Sequence, residues 1–267
     1  NGLSQNTVAA IIQDRLGFMW FGTKDGLNRY DGVSFQTFMK ESGTLGNNFI
    51  TSLYEDCLGQ IWIGTDVGVY IYSPSGEKVE RFVIQSNLNT TIEQTVHTIK
   101  GDRKGRVWIV SERQGIFCYD TNRGTLEHLQ TDASGKKRLR NAGQIVFDQD
   151  DVCWLDIHDG NLYSSRDGLH TLKPVFSPEI KAPFKGKRIN KLLPGPYNCL
   201  YVGTDDGLME VNLTSGALSS LLPGTAAAGE SLFVREMVFY SDDVLWIGTE
   251  SGIYVYNSRT GEKIGRA

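Results

Sequence analysis

The sequence predicts an all-β fold, a β-propeller made of four-stranded antiparallel blades in six repeat units. One observation is a motif, seen first as WFGTKDGLNRYDG at residues 20–32, that occurs six times along the 267-residue chain. A second is its period, because successive copies lie 42 to 47 residues apart. A third is that each copy contains short runs typical of strands. Units of this length and content are typical of propeller blades, which bury their faces only by stacking on one another.

Each repeat has an aromatic anchor at the start of its motif. All five tryptophans of the chain occupy this position, and a tyrosine occupies it in the fifth repeat. The anchors are Trp20, Trp62, Trp108, Trp154, Tyr201 and Trp246. Tryptophans confined to one position of a repeat indicate a continuous architecture, so we predict one β-propeller domain over residues 1–267. Its repeat units span approximately 1–40, 41–86, 87–131, 132–178, 179–223 and 224–267.

The four strands of a unit are predicted in order. The first carries apolar residues before the anchor, as at Ile50 and Leu53 in the second repeat. A turn follows, with Asp six positions before the anchor in four repeats and Gly195 or Tyr240 in the last two. Asp accepts hydrogen bonds from the turn backbone, and Gly supplies a positive φ. The anchor strand, a turn ending in Gly and a third strand come next. Weaker fourth strands are predicted at 34–38, 78–83 and 125–130.

The anchor aromatics are interpreted as packing residues rather than as a site. A large flat ring suits the contact between two sheets, and a glycine two residues later, such as Gly64, leaves room for a neighbouring side chain. We therefore expect all six anchors to be largely buried between blades. Replacing Trp62 or Trp246 by alanine is expected to cost about 3–5 kcal/mol of stability.

Composition narrows the range of functions. The chain is 40% hydrophobic and 22% charged, and its net charge of −4 gives no general reason to expect nucleic acid as a partner. The four cysteines lie in four different repeats without a C-x-x-C pair, so neither a metal site nor a cofactor is predicted. No G-x-S-x-G, H-E-x-x-H or Walker motif occurs, and no catalytic residue is assigned.

Basic residues concentrate in two segments that enter the fourth and fifth repeats, GKKRLR at 135–140 and KAPFKGKR at 181–188. In propellers, such entering loops share one face with the turns that follow the anchor strands. Those turns break the G-T-x-x-G pattern in the third and fourth repeats, and departures from a repeat often mark function or strain. The candidate ligand-binding residues are Arg113, Arg138, Arg140, His158, Asp159, Lys185 and Arg188.

These candidates belong to neighbouring repeats, so we expect them to form one positively charged sector. Such a sector would suit an acidic ligand, for example a uronic or sulfated oligosaccharide, because arginine side chains bind carboxylate and sulfate groups in pairs of hydrogen bonds. The alternative interpretation is that both basic segments are solvated surface loops.

The repeat resembles a known family. Residues 1–32, NGLSQNTVAAIIQDRLGFMWFGTKDGLNRYDG, resemble the opening of the extracytoplasmic sensor of hybrid two-component systems from gut Bacteroidetes. The unit V-x-x-I-x-x-D-x-x-G-x-x-W-I-G-T-x-x-G-L-x-x-Y resembles their regulator-propeller repeat and covers the chain in six copies. The match is weaker in the fourth copy, where Asp156 replaces Gly and Ser164 replaces Tyr, and in the fifth, where Tyr201 replaces Trp.

The resemblance implies a periplasmic ligand-sensing propeller, the ectodomain of an inner-membrane protein whose full-length chain is a histidine kinase. It implies an oligosaccharide ligand derived from a glycan, control of polysaccharide-utilisation genes, and no enzymatic activity in this domain. The rest of the sensor chain, with its membrane helix, is the implied partner. Because propellers of this family are usually seven-bladed, we expect the six repeats to be part of a larger, seven-bladed propeller. A six-bladed ring is the alternative.

Two further expectations concern association and function class. An incomplete ring would expose blade faces, which favours a homodimer. A propeller enzyme of lyase type stays open as an alternative function, and it would carry a cluster of histidine and carboxylates, which only His158 with Asp156 and Asp159 approaches. A protein-interaction scaffold of the WD type is a second alternative, although no repeat contains its G-H and W-D pairs.

Overall fold

The computed structural model describes residues 2–83, 91–223 and 232–266, and they form six four-stranded antiparallel sheets. Each sheet orders its four strands as they occur in the chain. The described residues contain one helical segment, a 3-10 turn at Leu139–Asn141, and no helix among them has the length and apolarity to cross a membrane. The prediction of an all-β propeller with six four-stranded antiparallel units is confirmed, and the expectation that these units belong to a larger, seven-bladed propeller stays a prediction. The unit boundaries predicted near residues 86 and 224 lie outside the described residues.

The first compact unit, Asn1–Ala142, contains blades one to three. Blade one consists of β1 (Val8–Gln13), β2 (Met19–Thr23), β3 (Gly26–Tyr30) and β4 (Phe35–Phe38). Blade two consists of β5 (Ile50–Glu55), β6 (Ile61–Thr65), β7 (Gly68–Ser73) and β8 (Lys78–Arg81). Blade three consists of β9 (Val96–Gly101), β10 (Arg106–Ser111), β11 (Gly115–Asp120) and β12 (Thr125–Leu129). The three predicted fourth strands are thus present as β4, β8 and β12.

The second compact unit, Gly143–Ala267, contains blades four to six. Blade four consists of β13 (Ile145–Phe147), β14 (Cys153–Asp156), β15 (Leu162–Ser165) and β16 (Lys173–Pro174). Blade five consists of β17 (Ile189–Gly195), β18 (Cys199–Thr204), β19 (Gly207–Asn212) and β20 (Leu218–Pro223). Blade six consists of β21 (Val234–Ser241), β22 (Val244–Thr249), β23 (Gly252–Asn257) and β24 (Glu262–Arg266). Blade four, whose sequence departs most from the repeat, also has the shortest first and last strands.

The turn before each anchor strand is held by one aspartate in blades one to four. In blade one, Asp14 Oδ1 accepts hydrogen bonds from the backbone N–H groups of Leu16 and Phe18, at 3.0 and 2.9 Å. Its Oδ2 accepts the indole N–H of Trp20 at 2.7 Å. The same bond to the indole recurs in three further blades, as Trp62 to Asp56, Trp108 to Asp102 and Trp154 to Asp148. The aspartate therefore both shapes the turn and satisfies a polar atom that burial would otherwise leave unpaired.

The anchors pack against the following blade where both blades lie in one unit. Trp20 of blade one lies in a buried cluster with Ile50 and Ile61 of blade two, and its ring centroid is 4.8 Å from that of Tyr72. Trp62 packs in the same way on Ile99 of blade three. Because each face is covered by the next sheet, both faces of an inner blade are apolar, in contrast to the alternation of a sheet with one wet face.

Two anchors depart from the expected burial. Trp20, Trp62, Trp108 and Tyr201 are buried, but Trp154 is only partly buried and Trp246 is 41% exposed. The prediction was therefore wrong for Trp246. Blade six is the last blade of the second unit, and within the described residues of that unit no further sheet follows to cover this face. Tyr240 also stands where an aspartate holds the indole in blades one to four.

The four cysteines are free thiols, with Cys57 exposed and the other three buried. Burial raises the pKa of the Cys118 thiol to about 12, so that side chain is a neutral packing group at ordinary pH. The three buried cysteines contribute to the core, and the four thiols form no framework of crosslinks.

Candidate ligand-binding site

A pocket of about 240 Å³ lies in the second unit between blades four and five. Its lining comes from two segments, 156–161 after β14 and 184–189 leading into β17. The first segment contains the broken turn DIHDG, and the second contains part of the basic segment KAPFKGKR. Two of the departures noted in the sequence therefore meet at one cavity.

One residue of the pocket lining, Asp156, replaces a glycine of the repeat motif. In blades one, two and five that glycine lies against the next blade, since a Cβ on Gly22 would come within 2.5 Å of Ile50 Cγ2 and one on Gly203 within 2.5 Å of Val234 Cγ1. Asp156 places a carboxylate there instead, and its side chain is only 2% exposed. Its Oδ1 accepts the backbone N–H of Gln144 at 2.7 Å. A buried charge of this kind needs partners, and the local chain supplies them.

His158 is the second partner of that carboxylate. Its Nδ1 lies 2.9 Å from Asp156 Oδ2, and because a carboxylate only accepts, Nδ1 carries the shared proton. The residue has a φ of 56°, in the left-handed region that non-glycine residues seldom adopt. Its ring lies over Gly143, where a Cβ would come within 2.5 Å of Cε1. The hydrogen bond to Asp156 therefore orients the imidazole, and the absence of a side chain at Gly143 leaves room for the ring.

The electrostatics of the pair favour the imidazolium. The hydrogen bond to Asp156 raises the pKa of His158, and the charge of Asp156 adds to this effect. Burial and the charge of Arg188 lower the same pKa but do not reverse the direction. The side chain is 48% exposed, so the ring is held at one edge and open to solvent elsewhere.

The opposite wall is tied to the broken turn by close backbone contact. The N–H of Phe184 donates to the carbonyl of Gly160 at 3.0 Å, and a Cβ on Gly160 would lie 2.9 Å from Lys185 N. Gly160 has a φ of 83°, so glycine is required both for the turn and for this approach. Asp159 accepts the hydroxyl of Tyr163 at 2.5 Å and the N–H of Asn161 at 3.0 Å. The turn is therefore pre-formed.

Three basic residues lie at the pocket, and they differ in their ion pairs and hydrogen bonds. Lys187 Nζ is paired with Asp206 at 2.9 Å. The backbone N–H of Arg188 donates to Asp205 Oδ1 at 3.0 Å, while its side chain is exposed and lowers the pKa of His158. Lys185 lines the pocket and is exposed, and it forms no ion pair with the part of the chain that the structure describes.

The predicted site residues divide between the two units. His158, Asp159 and Lys185 line the one pocket, and Arg188 acts on His158 through its charge. The remaining candidates belong to the first unit: Arg113 is exposed with its Nε 3.7 Å from Glu112, Arg138 precedes the 3-10 turn, and Arg140 donates to Gln130. That all seven form a single charged sector stays a prediction.

Sequence reasoning did not include Asp156 among the site residues, although the loss of the motif glycine was visible. It also did not identify Gly143, which lies against the ring that reaches it from the turn after β14. Arg113 and His158, in the two turns that break the repeat, both have positive φ values of 58° and 56°. Among residues 2–83, 91–223 and 232–266, no group of three or more His, Cys, Asp or Glu side chains is arranged to hold a metal ion.

Comparison with known proteins identifies the repeats. The family model described as two component regulator propeller matches residues 2–25 and 44–67. The first segment contains β1 and β2 of blade one, and the second contains β5 and β6 of blade two. These two segments match the two-component regulator propeller repeat, so the resemblance drawn from the motif is confirmed there. The chain is also 50% identical over 38 residues to histidine kinase P4 of Formosa agariphila, a match that covers 14% of this chain and 3% of that protein.

Solved structures share the fold. The extracellular domain of a hybrid two component system protein from B. thetaiotaomicron matches with a TM-score of 0.77 at 22% identity, over 97% of this chain and 36% of that one. Virginiamycin B lyase from Staphylococcus aureus matches with a TM-score of 0.71 at 12% identity, over 100% of this chain and 86% of the lyase. At these identities the likeness concerns the fold alone. The chain spans about a third of the sensor domain that it matches.

Proposed function

We propose that this chain, which carries two-component regulator propeller repeats, is a ligand-sensing part of the extracytoplasmic region of a hybrid two-component sensor. Its ligand is an oligosaccharide derived from a glycan, and binding controls polysaccharide-utilisation genes. The observation that carries the proposal is the pocket between blades four and five. It forms where the repeat is broken, and it gathers His158, Asp159 and Lys185 around a pre-formed cavity. Small-molecule sites have this character, a concave surface with a few oriented polar groups.

The repeats and the related proteins support the rest of the proposal. The similar solved domain is described as extracellular and as part of a hybrid two component system, and the similar sequence segment belongs to a histidine kinase. These descriptions support our proposal that the chain lies in the periplasm, in the ectodomain of an inner-membrane histidine kinase. Its membrane helix and signalling domains are partners within the full-length protein, and the propeller itself carries out no reaction.

Association of two copies is a further part of the proposal. Blade six exposes Val238, Tyr240 and Trp246, and blade one exposes Ile11 at a position that is buried in blades two to six. Exposed apolar residues concentrated on blade faces are typical of interaction surfaces. A homodimer that covers these faces accounts for them, and so does a further blade of the larger, seven-bladed propeller that we expect.

Calorimetric titration with neutral and acidic oligosaccharides tests ligand binding directly. Wild type should bind at least one member of the panel, and His158→Asn should weaken that binding at least tenfold, about 1.4 kcal/mol. Asparagine is chosen because it tolerates the left-handed backbone of this position. His170→Asn, on an exposed turn of the same unit, is the matched control and should bind as wild type does. Equal binding by both variants would remove the pocket from the proposal.

The charged sector is tested separately. The double variant Arg140→Ala, Arg188→Ala removes one arginine from each basic segment while leaving the pocket lining in place. If the sector acts as a whole, acidic oligosaccharides should bind more weakly and neutral ones should be unaffected. Equal affinity of wild type and double variant would rule the sector out without affecting the pocket.

A propeller lyase is the second candidate, and one observation favours it. A buried carboxylate that orients a half-exposed histidine is a recurrent arrangement in general acid–base catalysis. Against it, the hydrogen bond to Asp156 raises the pKa of His158, which disfavours the neutral ring that a general base requires. Incubation with acidic oligosaccharides, followed by chromatography of the products, separates the two functions, since a sensor returns the sugars unchanged.

A further inference from the structure

We infer that the pocket between blades four and five recognises a carboxylate of its ligand through His158 in the imidazolium form. Lys185 supplies a second positive charge to the same carboxylate, and Asp156 acts as the positioning residue of the histidine. The inference rests on the proposed function and makes it more specific. It names a uronic acid as the ligand class, and it predicts that binding is coupled to uptake of a proton.

The geometry gives His158 one occupied and one available nitrogen. Nδ1 is bound to Asp156 Oδ2 at 2.9 Å, whereas Nε2 has no hydrogen-bond partner among the described residues. Nearly half of the side chain is exposed beside a cavity of about 240 Å³. When Nδ1 carries a proton for Asp156, a neutral ring presents Nε2 as an acceptor, and only the imidazolium presents it as a donor. At this nitrogen, therefore, an anion can accept a hydrogen bond only from the imidazolium.

Asp156 is not available to a ligand itself. Its Oδ1 accepts the N–H of Gln144, and its Oδ2 accepts both the imidazole Nδ1–H and the backbone N–H of His158. The carboxylate is buried beneath the ring, so its charge reaches the pocket only through the histidine. Blades one, two, five and six have a glycine at this position and therefore no such carboxylate. The charge of Asp156 therefore stabilises the imidazolium and fixes its direction.

The charged groups at the pocket differ in whether an ion pair holds them. Asp156 is neutralised by the imidazolium, and Lys187 by Asp206 at 2.9 Å. Asp159 accepts the hydroxyl of Tyr163 and keeps its negative charge, and Arg188 is close enough to lower the pKa of His158. Lys185 has no ion-pair partner among the described residues of the lining. A carboxylate placed between Lys185 and Nε2 would supply the missing opposite charge.

Proton uptake follows from the sign of these interactions. A bound anion favours the charged form of His158, so binding must raise the pKa of the imidazole above its value in the free protein. By reciprocity, the affinity for the anion must fall as pH rises through the interval between those two pKa values. Within that interval the loss is at most about tenfold per pH unit, since one proton is involved.

Nuclear magnetic resonance of the imidazole Cε1–H groups tests this with simple probes. The chain has four histidines, and His158→Asn assigns the resonance of interest. We would titrate the protein over about pH 5 to 9 in the presence of glucuronate, glucose, or sodium chloride at matched ionic strength. Glucuronate should raise the pKa of His158 by about half a unit or more, while glucose and chloride should not. The other three histidines serve as internal controls.

Two variants assign the roles. Lys185→Met should weaken glucuronate binding and still leave a smaller rise in the pKa of His158, because the lysine is exposed and its loss does not disturb the fold. Asp156→Asn should lower the pKa of His158 in the free protein and abolish the rise. If this buried substitution prevents folding, Lys185→Met and His158→Asn still decide the matter, because both sites are exposed.

The outcomes are separable from those of the proposed function. A shift shared equally by all four histidines, or a His158 that responds to glucose as it does to glucuronate, would overturn the inference. Binding of neutral oligosaccharides in the pocket, lost in His158→Asn, would leave the sensing function in place and refute the carboxylate. Absence of binding by every sugar in the calorimetric panel would instead count against the proposed function itself.

Discussion

Blades two and six contain the same four-residue motif, WIGT, and yet the tryptophan behaves differently in each. Trp62 of blade two is fully buried, and Trp246 of blade six is 41% exposed. In blade two the indole lies against Ile99 of blade three and donates to Asp56 Oδ2 at 2.8 Å. In blade six Tyr240 replaces the aspartate, and Trp246 lies beside that tyrosine with ring centroids 6.4 Å apart. We therefore expect the same motif to contribute differently to the free energy of unfolding, depending on which residues pack against it.

The same contrast appears at the glycine of the motif. In blade two, a Cβ on Gly64 would come within 2.8 Å of Val96 Cγ1 of the next blade. In blade six, the nearest atom to a Cβ on Gly248 would be 3.7 Å away and belongs to its own blade. The repeat therefore keeps a sequence suited to a neighbour even where the described residues of the unit provide none.

The largest effect is expected for Trp62→Ala. The substitution removes a fully buried ring that packs on Phe82 and Tyr119, with centroids 4.8 and 5.5 Å away, and leaves Asp56 without its indole donor. We expect a loss of about 3–5 kcal/mol in the free energy of unfolding. Denaturant unfolding followed by circular dichroism measures it. A loss below about 1 kcal/mol would contradict the packing argument.

The next effect is expected for the aspartate of the turn. Asp56 Oδ1 accepts the N–H groups of Leu58 and Gln60, both at 2.9 Å, and Oδ2 accepts the buried indole. Asp56→Ala leaves these donors without a partner, at a cost of about 2–3 kcal/mol. Asp56→Asn retains one acceptor and should cost less. If both variants unfold at the wild-type denaturant concentration, the bond to the indole contributes nothing to stability.

The hydrogen bond from the indole to the turn aspartate shows which features could be predicted from the sequence and which could not. Aspartate six positions before the anchor predicted a turn, and the turn is present in blades one to four. The second bond, to the indole, was not predicted, because it depends on the rotamer of the ring and on the depth at which the ring lies. The exposure of Trp246 was missed for a related reason: a motif describes one sheet, whereas burial depends on the sheet beside it.

The candidate site was accessible to sequence reasoning only in part. The broken turn of blade four and the basic segment before blade five were both visible, and they do meet at the pocket. The bond between Asp156 and His158 was not visible as a constraint, since it requires the left-handed φ of 56° at the histidine and the absence of a side chain at Gly143. Those features follow from how the turn after β14 folds back on the residues before β13.

A smaller effect is expected from filling the motif glycine. Gly64→Ala would force a Cβ against Val96 and should cost about 1–3 kcal/mol through overpacking. Gly248→Ala is the matched control in blade six, and it should be neutral or stabilise by up to about 1 kcal/mol, because alanine has fewer conformations to lose on folding. Parallel thermal unfolding of the two variants compares them. Equal destabilisation by both would show that the next blade does not set the cost.

The smallest effect on stability is expected for Trp246→Ala. The side chain is 41% exposed, it makes no bond to an aspartate of the described residues, and its ring lies beside the exposed Tyr240. We expect a loss of less than about 1 kcal/mol in the free energy of unfolding, at protein concentrations where the chain is monomeric. Light scattering over a concentration series then separates stability from association. If two copies cover this face, wild type should self-associate and Trp246→Ala should do so less. A loss near that of Trp62→Ala in the monomer would mean that the ring of Trp246 is covered in solution by part of its own chain.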